Sequence, residues 1–201
     1  MDRRCFVLTS LAGAFVGPRI AEAQQAGKAF RIGVLGAYPP TTDSESARIW
    51  EGFLQGLRDL GYVEGQNVVI VARYSQGRNE SLSALAAELV RLNVHVILAG
   101  SGTPGASAAQ RATSTIPIVM TNAGDPVGSG LVDSLARPGR NLTGLSIVAS
   151  DLIGKQMQLL KEVVPTMSRV AVLSNPANPG HAISLREADV AAGHCKSRFR
   201  V

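Results

Sequence analysis

Aromatic side chains make up only 4% of these 201 residues, and there are only two cysteines. With Cys5 near the amino end and Cys195 near the carboxyl end, neither a disulfide framework nor a cysteine-based metal site can be built. The three histidines, His95, His181 and His194, lack the spacing of metal ligands. No G-x-S-x-G surrounds any serine and no P-loop lysine occurs, so neither a hydrolase elbow nor a phosphate-gripping loop is present. No apolar run approaches the roughly 20 residues that a membrane-spanning helix needs.

Charge of one sign is also missing from the body of the chain. The formal charge is +5, but the excess lies at the two ends, in Arg3, Arg4 and Arg19 and in Lys196, Arg198 and Arg200. Between Gln24 and Ala192 there are 14 basic and 13 acidic side chains, with no basic stripe interleaved with aromatics. That distribution excludes nucleic acid as the partner. What is abundant is Ala, Gly, Val, Leu and Ile within a 45% hydrophobic content. Such a composition suits strands covered by helices on both faces, an α/β class.

The first 23 residues read as an export signal: Arg3 and Arg4, an apolar segment from Phe6 to Val16, then Ala21, Glu22 and Ala23 as a small-residue cleavage site. Cleavage near Ala23 would release the chain into the periplasm, with residues 24–29 as a linker. Asp2 to Val7 also resemble the twin-arginine motif, with Val7 where Leu is usual, so both export routes stay open.

From Phe30 onward, short apolar runs alternate with helical repeats. Strands are predicted over Arg31 to Gly36, Asn67 to Tyr74, Val94 to Ala99 and from Ile116, the last breaking at Met120 into a polar turn, Thr121 to Pro126. Between them lie a helix capped by Asp43 or Ser44 and carrying Trp50, Phe53, Leu54, Leu57 and Leu60, a second over Glu80 to Leu92, and a third over Pro104 to Ala112. This βαβ series, residues 30–124, forms a first lobe. Beyond Gly130 a second unit is predicted, residues 125–192 in all: a strand over Asn141 to Ile147, a helix over Leu152 to Val164, a strand over Arg169 to Leu173, and a helix over Ile183 to Ala192. The last nine residues, GHCKSRFRV, break that pattern and read as an atypical basic tail, either a disordered end or the product of a shifted frame or truncation.

Loops following parallel strands gather on one edge, where small molecules bind. Tyr38, the turn Gly100 to Thr103, and Thr121 to Asp125 therefore meet in space. Gly100, Gly102 and Gly105 match a dinucleotide fingerprint, but in the third βα unit and with Pro104 removing an amide. The same turn, with Ser101, Gly102 and Thr103, suits a carboxylate at a helix N-terminus, or is plain turn structure. Asp125 either pairs with an ammonium group or closes a turn before Pro126. Tyr38 is placed to stack on a ligand. Thr121 and Asn122 belong to the same wall, and Ser146 and Asn175 are the candidates from the second unit, Asn175 also fitting a turn. Trp50 and His95 read as structural.

The runs FLQGLRDLGYVEGQNV from Phe53, LAAELVRLNVHVIL from Leu85, ATSTIPIVM from Ala112, DPVGSGLVDSLARPGRNLTG from Asp125, and Lys155 to Pro179 resemble the periplasmic substrate-binding proteins of ABC transporters, in the group with tryptophan- and tyrosine-binding members. His95 stands where Asp is frequent and Arg140 where Gly is frequent. The resemblance implies a type I periplasmic-binding-protein-like fold, a parallel sheet flanked by helices in each of two lobes that close on an amino acid or similar small molecule. It further implies a non-enzymatic monomer without a cofactor that delivers its ligand to a permease. A full member continues past Ala192, so the second lobe is expected to be incomplete. The alternative from the residues alone is a nucleotide- or NAD-binding enzyme using the Gly100, Gly102 and Gly105 turn.

Overall fold

The alternation of apolar runs and helical repeats is realised in a computed structural model that describes residues 29–41, 45–147, 152–176, 178–194 and 198–200. The export segment, the cap expected at Asp43 or Ser44, and Cys195 lie outside the described residues. In chain order the elements are β1 (Phe30–Gly36), α1 (Glu45–Asp59), β2 (Val68–Tyr74), a single 3-10 turn over Asn79–Ser81, α2 (Leu82–Arg91), β3 (Val96–Ala99), α3 (Gly102–Ala112), β4 (Ile118–Gly124) and β5 (Leu142–Ile147). Then follow α4 (Ile153–Val163), β6 (Arg169–Ala171), α5 (Pro179–His194) and β7 (Arg198–Arg200).

β1 to β5 form one parallel sheet in the order β2-β1-β3-β4-β5. Strand side chains alternate between faces, and both faces are apolar. Leu35, Ile97, Ala99, Ile118, Met120 and Leu142 pack against Ala86 and Leu89 of α2 and Ala106 and Ala109 of α3. The small side chains of α3 let its backbone lie close to the sheet. On the other face Ile32, Val34 and Val68 meet Trp50, Phe53 and Leu57 of α1. Leu60, predicted on that same face, is 76% exposed, because α1 stops at Asp59 and Gly61, at φ +82°, turns the chain away.

Two sequence expectations need correction. The strand at 142–147 does not open a second unit; it is the fifth strand of the first sheet, in register with β4. The Asn141 side-chain amide donates to the carbonyls of Thr113 and Ile116, at 3.1 and 2.8 Å, and so stitches β5 to the segment before β4. Leu131 and Val132, both buried, plug the loop between the two strands, and the Gln110 side chain donates to the Leu131 carbonyl at 2.8 Å. β4 also outlasts its apolar run: it continues to Gly124, with a register shift at Thr121 and Asn122 before Ala123 and Gly124 pair again with β5.

Residues 152–200 are organised differently. α4 and α5 pack on each other, burying Met157, Ala188 and Ala192. α5 starts at Pro179, four residues before its predicted start, and runs to His194. The supposed tail contributes β7, which pairs in parallel with β6.

Candidate functional site

The strand order reverses between β1 and β3, and a parallel sheet opens a crevice outside the carboxyl ends of its strands at such a point. A cleft of about 410 Å³ lies there. One wall is Ala37 after β1, the Gly100 to Thr103 turn after β3, and Asn122, Gly124 and Asp125 at the end of β4. The other is the first turns of α5, with Asn178, Gly180, His181 and Ser184. The two walls touch: a methyl group on Gly180 would stand 3.4 Å from Thr103 Oγ1.

Ser101 takes the N-cap position of α3, yet its hydroxyl makes no capping bond. An N-cap oxygen ordinarily accepts from the second or third helical amide, and the third helical residue here is Pro104, which has no N–H. The amide of Thr103, the second helical residue, is not bonded to it either, and Ser101 Oγ is buried with no hydrogen-bond partner among the described residues. Native structures rarely leave such an atom idle.

Its neighbours are spent on the fold to differing degrees. Gly102, at φ +63°, donates its amide to Asn122 Oδ1 at 3.0 Å, which ties the α3 turn to β4 and turns the Asn122 amide nitrogen into the remaining donor of that side chain. The buried Thr103 hydroxyl donates to the Gly124 carbonyl and accepts from the Gly124 amide, both at 3.1 Å. That side chain is a clamp between α3 and β4 with its hydrogen fully engaged. Asp125 adopts φ +38°, and its Oδ1 accepts the Gly128 amide at 2.8 Å. The local turn therefore uses one carboxylate oxygen and leaves Oδ2 without a protein donor among the described residues.

The other predicted residues do not line the cleft. Tyr38 is 63% exposed, with its hydroxyl against Gly77. The Thr121 hydroxyl lies 3.5 Å from the Ala99 carbonyl and 3.2 Å from Asn122 Oδ1. Ser146 opens on a separate pocket of about 210 Å³ with Met120, Val132 and Gly144, while Ile147, one residue on and therefore on the opposite face, reaches the cleft. Asn175 acts through its backbone amide, which donates to His181 Nδ1 at 2.9 Å.

Sequence reasoning missed the α5 wall. Its signal was present: Asn178 followed by Pro179 is an N-cap followed by a proline at the first helical position, and Asn178 Oδ1 accepts the Gly180 amide at 3.0 Å. Among the described lining residues Asp125 is the sole charged side chain, with no lysine or arginine. The described residues contain no group of three or more His, Cys, Asp or Glu side chains arranged to hold a metal ion, and no described helix is long and apolar enough to cross a membrane. The site offers hydrogen-bond donors and one carboxylate, and among the described residues no serine hydroxyl is hydrogen-bonded to His181.

Residues 42–192 match the family model described as ABC transporter substrate binding protein. The chain belongs to that family. It is 36% identical over 135 residues to a tyrosine-binding protein of Clostridioides difficile, covering 67% of this chain and 38% of that one. Among solved structures, a conserved domain protein from Vibrio cholerae superposes with a TM-score of 0.73 at 31% identity, over 86% of this chain and 56% of that chain. A domain from Streptococcus pneumonia in complex with L-Trp superposes with a TM-score of 0.71 at 26% identity and the same two coverages. The chain thus spans about half the length of these solved relatives and 38% of the tyrosine-binding protein. The fold of the described residues is that of the type I periplasmic-binding proteins, and the family is that of the ABC transporter substrate-binding proteins.

Proposed function

We propose that this chain binds an amino acid in the cleft between the carboxyl edge of the sheet and α5. The observation that carries the reading is the buried, unpartnered hydroxyl of Ser101 at the mouth of α3. A ligand carboxylate would take that hydroxyl and the Asn122 amide, aided by the positive end of α3. Asp125 Oδ2 would take the ammonium group. This set of donors with one carboxylate matches a zwitterion. Binding and closure, with no bond chemistry, would be the work of the site, and a permease the recipient of the ligand. Residues 1–23 would act as an export signal cut near Ala23.

The relatives named for tyrosine and solved with L-Trp make these two amino acids the first probes. At one hundred times its Kd a ligand adds about 2.7 kcal/mol to stability, a clear rise in thermal midpoint. Ser101→Ala should weaken binding about tenfold through the lost bond to a charged group. The absence of a thermal shift with any of the common amino acids would sink the proposal.

A further inference from the structure

The side chain that the Ser101 and Asp125 picture leaves unused is His181. It sits in the first turn of α5 and lines the cleft. Its Nδ1 accepts the backbone N–H of Asn175 at 2.9 Å. A backbone amide can only donate, so Nδ1 carries no hydrogen, and in the neutral ring the hydrogen is on Nε2. The turn at Asn175 therefore fixes both the tautomer and the plane of the ring. Nε2–H is left as a directed donor with no protein acceptor among the described residues.

The surroundings decide what it would meet. The described lining residues include no lysine or arginine, so a carboxylate in the cleft must be held by neutral donors and helix ends. Asp125, the one charge, repels a carboxylate and draws an ammonium group. α3 and α5 bring their first turns into contact at Thr103 and Gly180, which sets the residues next in chain, Gly102 with Ser101 on one side and His181 on the other, around the same part of the cleft. We infer that His181 is a carboxylate-binding residue, donating Nε2–H from α5 to the ligand carboxylate that Ser101 holds from α3. The inference rests on the amino-acid-binding reading and adds to it a residue from the second wall, so that the carboxylate itself links the two walls. Asn175 is then a positioning residue acting through its backbone.

The test is a calorimetric cycle on the whole chain with two probes, L-tyrosine and L-tyrosinamide, which differ at the carboxylate, and two variants. His181→Asn keeps a side-chain acceptor near the Nδ1 position for the Asn175 amide and removes the Nε2 donor; His181→Ala removes both. His181→Asn is expected to weaken L-tyrosine binding about tenfold or more, the effect of losing a hydrogen bond to a charged group. It should change L-tyrosinamide binding by less than about threefold and leave the thermal midpoint of the ligand-free protein where it was. Equal losses for the two probes would place His181 away from the carboxylate and overturn the inference. So would wild-type affinity in His181→Asn with a loss only in His181→Ala, since that pattern assigns the ring to holding the Asn175 turn. If L-tyrosine fails to bind the wild type, L-tryptophan and L-tryptophanamide replace the pair. If no amino acid binds the wild type, the underlying reading fails and the inference with it.

Discussion

Leu35, Ile97, Ile118 and Leu142 are wholly enclosed at the centre of the five-stranded sheet, whereas in residues 152–200 the described buried apolar side chains are Met157, Ala188 and Ala192. There Leu159, Val163 and Leu173 stand open to solvent, the last completely. The difference is one of layers. The sheet has helices on both faces and buries its strands from two sides; α4 and α5 have chiefly each other and a two-stranded sheet of three-residue strands. Local stability follows buried apolar contact, so the wall made by α3 and β4 is the firm one and the wall made by α5 opens at lower cost.

Core truncations should break this comparison most visibly. Ile97→Ala is expected to cost about 4 kcal/mol and Met157→Ala about 2 kcal/mol, read by chemical denaturation; equal costs would mean that the two regions are equally consolidated. The glycines sharpen it in the opposite sense. Gly144, at φ +138°, lies where an added Cβ would run into the Met120 carbonyl, so Gly144→Ala strains β5 against β4. We expect a loss of about 3 kcal/mol. Gly154 on α4 has open space around its Cβ position, and Gly154→Ala should stabilise by about 0.5 to 1 kcal/mol. Urea midpoints moving in the same direction for both would contradict the contrast.

A smaller effect is expected at the firm wall of the cleft. Thr103→Val leaves the Gly124 amide and carbonyl without the hydroxyl and should cost about 2 kcal/mol, whereas Thr103→Ser, which keeps the hydroxyl, should retain most of the stability. Thermal unfolding of the pair checks this. The smallest effect belongs to the surface pair of Arg73 and Glu88, 2.7 Å apart. The hydrogen bond from Arg73 holds the Glu88 carboxyl below its ordinary value. Because that value is depressed in the folded state, the pair's contribution is complete above the ordinary glutamate range and is lost as the pH falls through the lowered value. Glu88→Gln should flatten that segment of the stability profile and change little at neutral pH, as exposed pairs do.

The parallel sheet was legible because each strand is an apolar run bounded by a turn and each helix repeats at its own period. Four things were hidden. Strand β4 continues past the irregularity at Thr121 and Asn122 because Ala123 and Gly124 pair with Ser146 and Ile147 of β5, and pairing between distant segments leaves no period in the sequence. For the same reason β5 read as the start of something new, although Asn141 ties it back to Thr113 and Ile116. On the site, the Gly100 to Thr103 turn and Asp125 were visible as chemistry at a strand end. That the Thr103 hydroxyl is consumed by Gly124, and that Ser101 Oγ has no partner among the described residues, depends on which polar atoms meet in the fold. His181 escapes the sequence pattern because the helical period starts at Ile183, whereas the helix itself starts at Pro179.

Amide hydrogen exchange, with and without a saturating amount of the amino acid that raises the thermal midpoint, tests the two-walled cleft most directly. Slower exchange is expected in two separate segments at once, residues 101–105 with 122–125 on the firm wall and residues 180–184 at the start of α5. Protection confined to the firm wall, or appearing around Tyr38 and Ser146 with none at α5, would contradict it.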